Sequence, residues 1–570
     1  FPAALANATQ IKAFPAFNFS GALVAVGSSA SSGMTLLDLN SWGDRASMTW
    51  VKGSHSMKFG ADYRIQQLNQ MQQNSFEPAF QFSNQMSAVN PLSLNANSGT
   101  PYASFLLGYM ASASVAKTQR LANQRKYLGL FFQDDWKATR RLTLNLGMDY
   151  SLEFPITERH NRKMWFDTAA ALPISQQVGL NLRGGFLFAD NSTRSPYNLA
   201  KKQFGPRVGF AYQLFSHTVV RSGYGMFFIP AATTEVTGDV RAPAWALSTQ
   251  AIASLDNGIT PYSTLDNPFP QGILDPPGSA AGLNTLVGQN AAANQRDFRA
   301  GYMQQWNFDI QHEFGREMVL EALYAGSVGT GLPANWASQM NQLSDSYLTQ
   351  GASLQMLVPN PFLGVVASGV LSLPTIQRGQ LLRPYPQFQT LYVEGQPLGH
   401  SNYHSFQMQF NKRFGSSIIG MAYTISKAMG NTESRTDWLE GGAQGTSMGF
   451  MNPNNRRLDR SLAVADVPQR LVVNFTLEAP FGKGRRFLNS LGPLDRVVSG
   501  WQITGLYTLQ SGTPVGVMTP TNLTGTYNAV TDVYGSYSHN SRPNNNGQSA
   551  KLSGDPKSRR LRSTNPVHAA

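Results

Sequence analysis

The sequence predicts an all-β fold: a transmembrane antiparallel β-barrel, present in part, built as a meander of long hairpins with long extracellular loops. Three observations carry this prediction. Residues 142–154 alternate strictly between apolar and polar side chains, the connections between such stretches alternate between short and long, and charged residues are scarce. No apolar run in the 570 residues reaches about 18, the length that a membrane-spanning helix needs.

The stretch 142–154 is the clearest predicted strand. Its apolar members stand at every second position: Leu142, Leu144, Leu146, Met148, Tyr150, Leu152 and Phe154. Because successive strand side chains point to opposite sides, this period gives one apolar and one polar face and excludes a helix. About 13 residues at about 3.3 Å each, tilted by about 45°, cross a hydrocarbon layer of about 30 Å. One face of a large soluble β-sandwich or β-helix is the alternative for this stretch alone.

The connections between the predicted strands alternate in length. Five are short turns, at residues 52–55, 137–141, 214–218, 314–317 and 414–417. Between these hairpins lie long segments rich in Asn, Ser, Gly and Pro, at approximately 68–125, 155–203, 230–301, 329–400 and 428–467. Outer-membrane barrels have short periplasmic turns and long extracellular loops, whereas a soluble sandwich has no reason to place every long loop at one end. The pattern therefore predicts a barrel whose short turns face the periplasm.

Aromatic residues at the predicted strand ends fit the girdles that flank the apolar band of such barrels. Trp50 and Trp136 precede short turns, Phe314 and Phe414 begin two others, and Phe154, Phe227 and Phe228 lie at the opposite ends. Asp134 is an exception, because it has the same parity as the apolar Leu128, Leu130 and Phe132. We expect its carboxylate to lie at head-group depth or beside a β-bulge.

The composition suits a surface that partly meets lipid. Charged residues make up 14% of the chain, against about 25% in soluble domains. The formal net charge of +13 includes a basic group at 557–563, which we interpret as part of a solvated tail because no nucleic-acid-binding motif accompanies it. We therefore expect no nucleic-acid partner. The expected domains are a partial barrel, 1–517, and an extracellular-loop-like or disordered basic tail, 518–570.

Several stretches together resemble the Oar-like TonB-dependent receptors of the Gram-negative outer membrane. They cover roughly residues 42–517 and read FFQDDWKATRRLTLNLGMDY, GPRVGFAY, VVRSGYGMFF, QWNFDIQHEF, YAGSVGTGL, YTISKAMGN, APFGKGRRF and GWQITGLYTLQSGTPVGV. Each shows only strand alternation with turn glycines, but their order and spacing make the combination specific. The resemblance implies location in the cell outer membrane, in contact with outer-membrane lipid and lipopolysaccharide.

The resemblance also implies the plan of the whole protein: a barrel of about 22 strands, an N-terminal plug in its lumen and a segment that engages the TonB complex. No plug or TonB-engaging segment is recognisable before residue 42, and the C-terminus does not end a membrane strand on an aromatic residue. We place about 13 strands, and expect a fragment that forms a curved sheet or an incomplete barrel, poorly ordered after about residue 518. In the full-length protein, the implied function is energy-coupled uptake of an unidentified substrate.

The residue pattern favours a non-enzymatic role. The histidines are scattered, without the His-x-x-x-His or Glu-paired spacing of metal sites. The absence of cysteine removes thiolate ligands and thiol nucleophiles. The glycine-rich stretches lie in or after strands and do not open a helix, so phosphate binding is not predicted. We predict no catalytic residue, no cofactor and no metal.

The long connections are the predicted place for substrate binding, because recognition concentrates in loops on a rigid scaffold. Trp245, Trp336 and Trp438 lie in three of them and are the candidates, since tryptophan stacks on sugars and other flat ligand faces. Packing anchors within the loops are the commoner explanation for such tryptophans. The alternative function is a secreted or surface β-rich adhesion or structural protein that passes no solute.

Overall fold

The computed structural model describes residues 9, 14–21, 25–27, 34–73, 78–93, 98–229, 243–256, 258–294, 296–297, 299–315, 317–334, 338–366, 370–394, 396–431, 452, 454–463, 465–488 and 492–514. Strands dominate these residues. Numbered along the chain, they are β1 (Ala16–Phe19), β2 (Met34–Lys52), β3 (His55–Gln73), β4 (Ala79–Phe82), β5 (Ser112–Thr118), β6 (Leu121–Trp136), β7 (Leu142–Glu153), β8 (Thr157–Glu158), β9 (Met164–Ala171), β10 (Arg183–Phe188), β11 (Phe204–Phe215), β12 (Thr218–Phe228), β13 (Ala246–Gln250), β14 (Ala291–Asn294), β15 (Tyr302–Phe314), β16 (Met318–Ala334), β17 (Ser338–Gln339), β18 (Leu357–Pro359), β19 (Thr375–Gln377), β20 (Leu391–Glu394), β21 (Gln396–Phe414), β22 (Ser417–Gly430), β23 (Ser461–Leu462), β24 (Gln469–Glu478) and β25 (Gln502–Gln510).

Twelve strands of the described residues form one antiparallel meander in which each pairs with the next: β2, β3, β6, β7, β11, β12, β15, β16, β21, β22, β24 and β25. The predicted all-β meander of long hairpins is therefore confirmed, with one strand fewer than the 13 expected. The strands β2, β3 and β21 have 19 residues each, far beyond the five or six typical of soluble sheets. The path of pairing runs from β2 to β25, so the meander of the described residues is open rather than closed.

The strand register places the apolar side chains of the meander on one face. Directly opposed residues of an antiparallel pair share a face, and two series of such partners are Phe59–Phe132–Met148 and Phe308–Tyr324–Phe406–Ile425. These seven side chains are 38% to 47% exposed. The predicted alternation of 142–154 is confirmed, because Met148 of β7 belongs to the first series. We call this surface the apolar face and the opposite surface the polar face.

Short turns join the meander strands at one end. Two residues separate β2 from β3, β11 from β12 and β21 from β22. In the first and third of these turns, Gly53 and Gly415 have φ of 59° and 58°, a left-handed conformation that glycine adopts without strain. Residues 479–501, between β24 and β25, are a long connection at this same end and depart from the predicted pattern.

The long connections at the opposite end pack into a folded layer, which we call the cap. Its strands form a four-stranded sheet, β1–β4–β5–β13, a three-stranded sheet, β14–β20–β17, and the pairs β9–β10 and β18–β19. The sequence predicts only long polar segments in this region. The structure shows that these segments carry secondary structure and apolar cores of their own.

Three buried apolar clusters hold the cap together. The first includes Phe166 and Phe388, whose ring centroids are 5.9 Å apart although one precedes β11 and the other precedes β21. The second joins the same two connections through Leu172 and Phe362, and the third centres on Phe80 beside β1. The water-excluding cores of the described residues thus lie in the cap, whereas the meander leaves its apolar face uncovered.

Helices are minor elements among the described residues. The α-helices are Pro101–Leu106, Ser175–Val178, Arg378–Leu381 and Asp495–Val498, and the 3₁₀ segments are Gln85–Ser87, Pro243–Trp245, Gly282–Asn284, Asp345–Gln355, Val370–Ser372, Arg456–Asp459 and Gly492–Leu494. Thr100 caps the first α-helix, because its side-chain oxygen accepts a hydrogen bond from the Ala103 N–H at 3.0 Å. In the part of the chain that the structure describes, no helix has the length and apolar character needed to cross a membrane.

Candidate functional site

The polar face of the meander carries paired charges, and we take it as the candidate functional site. Arg207 on β11 pairs with Asp149 on β7, and Arg64 pairs with Asp62 two residues before it on β3. Their positions in the strand register put all four on the face opposite to the apolar series. The two arginine side chains are about half exposed. This face therefore presents charged, hydrated groups to whatever fills the space in front of it.

Aromatic rings on the polar face lie beneath arginines. The guanidinium of Arg207 is 4.9 Å from the ring centroid of Phe227, and that of Arg64 is 5.2 Å from Tyr127. Stacking holds a guanidinium flat and leaves its N–H edges free to bind acceptors. The prediction that Phe227 belongs to an interfacial girdle is wrong, because its pairing with Met303 places it on the polar face.

Asp309 is buried within the polar face. Its Oδ2 lies 3.3 Å from Nη1 of Arg221 on the neighbouring strand, whereas Oδ1 has no hydrogen-bond partner among the described residues. The side chain of Arg221 is about half exposed. The buried carboxylate of Asp309 therefore holds the guanidinium of Arg221 at the surface of the polar face.

Buried amide side chains bind backbone carbonyls where the cap has irregular structure. Nδ2 of Asn341 donates to the carbonyl oxygens of Tyr385, at 2.9 Å, and Phe388, at 2.8 Å. Nε2 of Gln387 donates to the carbonyl of Gly184, in a different connection, at 2.9 Å. Burial also raises the pKa of Tyr385, because its ionised form would lose solvation. These bonds satisfy buried backbone carbonyls, and that of Gln387 also joins two separate connections.

Trp245 is the candidate tryptophan that falls within the described residues, whereas Trp336 and Trp438 lie outside them. It packs against the first cluster of the cap, with its ring centroid 5.6 Å from that of Phe188 in an edge-to-face contact. Its backbone carbonyl accepts a hydrogen bond from the Gln119 N–H at 2.9 Å. Such contacts are those of a packing anchor, and a role of Trp245 in substrate binding stays a prediction.

Asp256 closes a turn of the cap. Its Oδ1 accepts hydrogen bonds from Oγ of Ser254 at 2.7 Å and from the backbone N–H of Thr260 at 2.8 Å. These bonds, that of Ser254 foremost, lower the pKa of Asp256 to about 2 because they stabilise the charged carboxylate. Within the residues described, no group of three or more His, Asp and Glu side chains is arranged to hold a metal ion.

The arginine–aromatic stacks are functional candidates that the sequence reasoning missed. Arg64 stands between Tyr63 and Ile65, and Tyr127 alternates with Leu128 and Leu130, so their parity already assigns them to the polar face. No periodic signal marks Asn341 or Gln387, because each binds backbone groups distant in sequence, 44 residues away for Asn341 and 203 for Gln387.

A family model described as outer membrane beta barrel domain matches residues 1–566. Curated proteins give no match to the sequence. Among solved structures, the outer membrane transporter YddB from Escherichia coli is similar at 10% identity, over 87% of this chain and 50% of that chain, with a TM-score of 0.42.

Two further solved transporters are similar over smaller parts. The copper transporter OprC is 8% identical over 78% of this chain and 42% of that chain, with a TM-score of 0.35. The FrpB iron transporter from Neisseria meningitidis, F5-1 variant, in its apoprotein form, is 10% identical over the same shares, with a TM-score of 0.32. The chain therefore spans half the length of YddB and less than half the length of the other two transporters.

Proposed function

The chain belongs to the outer membrane beta barrel domain family, and from this premise we propose that it forms barrel wall of an Oar-like TonB-dependent receptor that takes up an unidentified solute. Its location is the cell outer membrane. One observation carries the proposal: a polar, charged face runs along a meander of twelve described strands whose other face is apolar. Outer-membrane barrels that pass solutes have a polar interior and an apolar exterior.

The proposal extends to partners and to the division of the chain. Outer-membrane lipid would cover the apolar face, and lipopolysaccharide would surround its cap end, where Lys126 stands exposed on that face two residues before Leu128. The TonB complex would act on the full-length receptor. We assign residues 1–517 to the wall and its cap and residues 518–570 to an external basic segment, and we keep Trp245, Trp336 and Trp438 as substrate-binding candidates.

The proposed role is transport rather than catalysis, and an uptake experiment tests it. Cells that carry the complete gene and cells that lack it, each with and without an active TonB complex, are grown in a complex medium whose solutes are followed by mass spectrometry. We expect at least one solute to be depleted only when both the gene and TonB are present. If no solute shows this double dependence and the gene instead promotes attachment to surfaces, the adhesion alternative replaces transport.

Neighbouring residues on opposite faces provide the control for this experiment. Asn307 is exposed on the polar face, and Phe308 follows it on the apolar face of β15. Asn307→Trp should narrow the path and reduce uptake, whereas Phe308→Trp only changes one lipid-facing aromatic ring for another. Equal uptake by the two variants, at equal amounts of inserted protein, would contradict passage along the polar face.

A further inference from the structure

The connection between β24 and β25 is unlike the other turns at its end of the meander. It comprises the 23 residues 479–501, of which the structure describes 479–488 and 492–501, between strands that end at Glu478 and begin at Gln502. The backbone N–H of Gly482 donates to the carbonyl of Phe487 at 3.0 Å, and Oγ of Ser499 accepts from the backbone N–H of Lys483 at 2.8 Å. Its two halves are therefore joined in a folded projection.

The surface of this projection is basic. Lys483, Arg485, Arg486 and Arg496 are all exposed. Arg485 pairs with Glu478 at the end of β24. The other three have no acidic partner among the side chains that the structure describes, and four basic residues stand in this segment against one acidic residue, Asp495.

Large apolar side chains are exposed among these charges. Five of them are between 52% and 66% exposed: Phe487, Leu488, Leu494, Val497 and Trp501. The Ala479 N–H donates to the Trp501 carbonyl at 2.9 Å, one step beyond the β24–β25 ladder in which Leu477 pairs with Ile503. Trp501 therefore has the parity of Ile503 and continues the apolar face past the end of the strands.

We propose that the described residues of this projection, 479–488 and 492–501, form a membrane-interface anchor that binds the phosphate group of anionic phospholipids in the leaflet on the short-turn side. Continuity with the lipid-covered apolar face identifies lipid as the occupant, because Trp501 extends that face into the projection. The three unpaired positive charges select an anionic head group over a zwitterionic one. A tryptophan between an apolar band and basic side chains matches the composition of membrane–water interfaces.

Cross-linking measures this preference at the segment itself. The full-length protein is placed in nanodiscs with phosphatidylglycerol or phosphatidylcholine that carries the same photoreactive acyl chain, and adducts within 479–501 are counted by mass spectrometry. We expect phosphatidylglycerol to be preferred and the preference to fall by up to roughly fivefold for each basic residue removed, with a smaller effect at high salt.

The variants separate a specific anchor from a general effect of charge or folding. The triple change Lys483→Gln, Arg486→Gln and Arg496→Gln should abolish the preference, and Lys483→Arg, Arg486→Lys and Arg496→Lys should keep it. Arg159→Gln, Lys201→Gln and Lys202→Gln remove equal charge from exposed positions at the cap end and should change nothing. Equal labelling by both lipids in the unmodified protein, or the same loss in the cap-end variant, would overturn the anchor.

Discussion

Asp134 lies directly opposite Leu146 on the apolar face, and its Oδ2 is 2.7 Å from Nδ1 of His55. His55 is the first residue of β3 after the turn, and its ring stacks on Trp136 with centroids 5.2 Å apart. The pairings of β6 with β3 and with β7 run without a register shift, so the expected β-bulge beside Asp134 is wrong. Asp134 instead pairs with His55 at the short-turn end of the apolar face, which supports the expectation that its carboxylate lies at head-group depth.

The His55–Asp134 pair predicts an unequal cost for single and double replacement. His55→Leu should destabilise the protein by about 1–3 kcal/mol, because it leaves the buried Asp134 without its partner. The double variant His55→Leu/Asp134→Leu should recover most of that loss, since both polar groups leave the rim together. Reversible urea unfolding in lipid vesicles measures both changes in free energy. If the double variant is as unstable as the single variant, the interaction between His55 and Asp134 does not contribute to stability.

The two faces of β15 should differ in the stability cost of a charged substitution. Phe308→Arg places a charge on the apolar face near the middle of the strand and should cost about 2–4 kcal/mol. Asn307→Arg puts the same side chain on the polar face at nearly the same depth and should cost far less. The free energy of unfolding in lipid vesicles provides the comparison, and equal penalties would mean that both faces are buried alike.

Orientation in the membrane is a third prediction. The chain has no cysteine, so single cysteines report position without background. Ala280→Cys in the cap should react with a membrane-impermeant maleimide on intact cells, and Arg140→Cys in a short turn should react only after the outer membrane is permeabilised. If Arg140→Cys reacts on intact cells and Ala280→Cys reacts only after permeabilisation, the short turns face outward.

Strand positions and faces were predictable because their signal is local. Each residue of β7 reveals its face by parity, and glycine marks the turns at Gly53 and Gly415. The cap was not predictable in this way. Phe166 and Phe388 meet although neither lies in a periodic stretch that signals the other, and their contact depends on how separate connections fold together. The fold of the projection was not predictable either, because APFGKGRRF, residues 479–487, has no strand period and its contact with Ser499 joins residues 16 positions apart in sequence.

The packing of Trp245 should determine how well the cap resists proteolysis. Trp245→Ala should remove the contact with Phe188 and increase cleavage of the cap by an externally added protease, because a large ring leaves the first cluster. Trp245→Phe should restore most of the resistance. If neither variant changes the cleavage rate but both reduce uptake of the identified solute, Trp245 acts on the substrate and not on packing.

Asp256 predicts a pH dependence of its turn. Because its pKa in the folded protein lies below the usual value, the stabilisation is present above the unfolded pKa near 3.8 and is lost as the pH falls through about 2. Hydrogen exchange of the Thr260 amide, corrected for its intrinsic rate, should therefore accelerate over that window. Asp256→Asn should weaken the turn at neutral pH and remove the transition. If Asp256→Asn shows the same pH dependence of Thr260 exchange, the transition belongs to another titrating group.

The shared clusters of the cap limit how this surface can diversify. Phe166 and Phe388 bury one another, so a change in either connection alters the environment of the other. A connection transferred from a related barrel protein would lack the side chains that pack against the neighbouring connections. Sequence variation is therefore expected at exposed tips of the cap, whereas the residues of its buried clusters should change together.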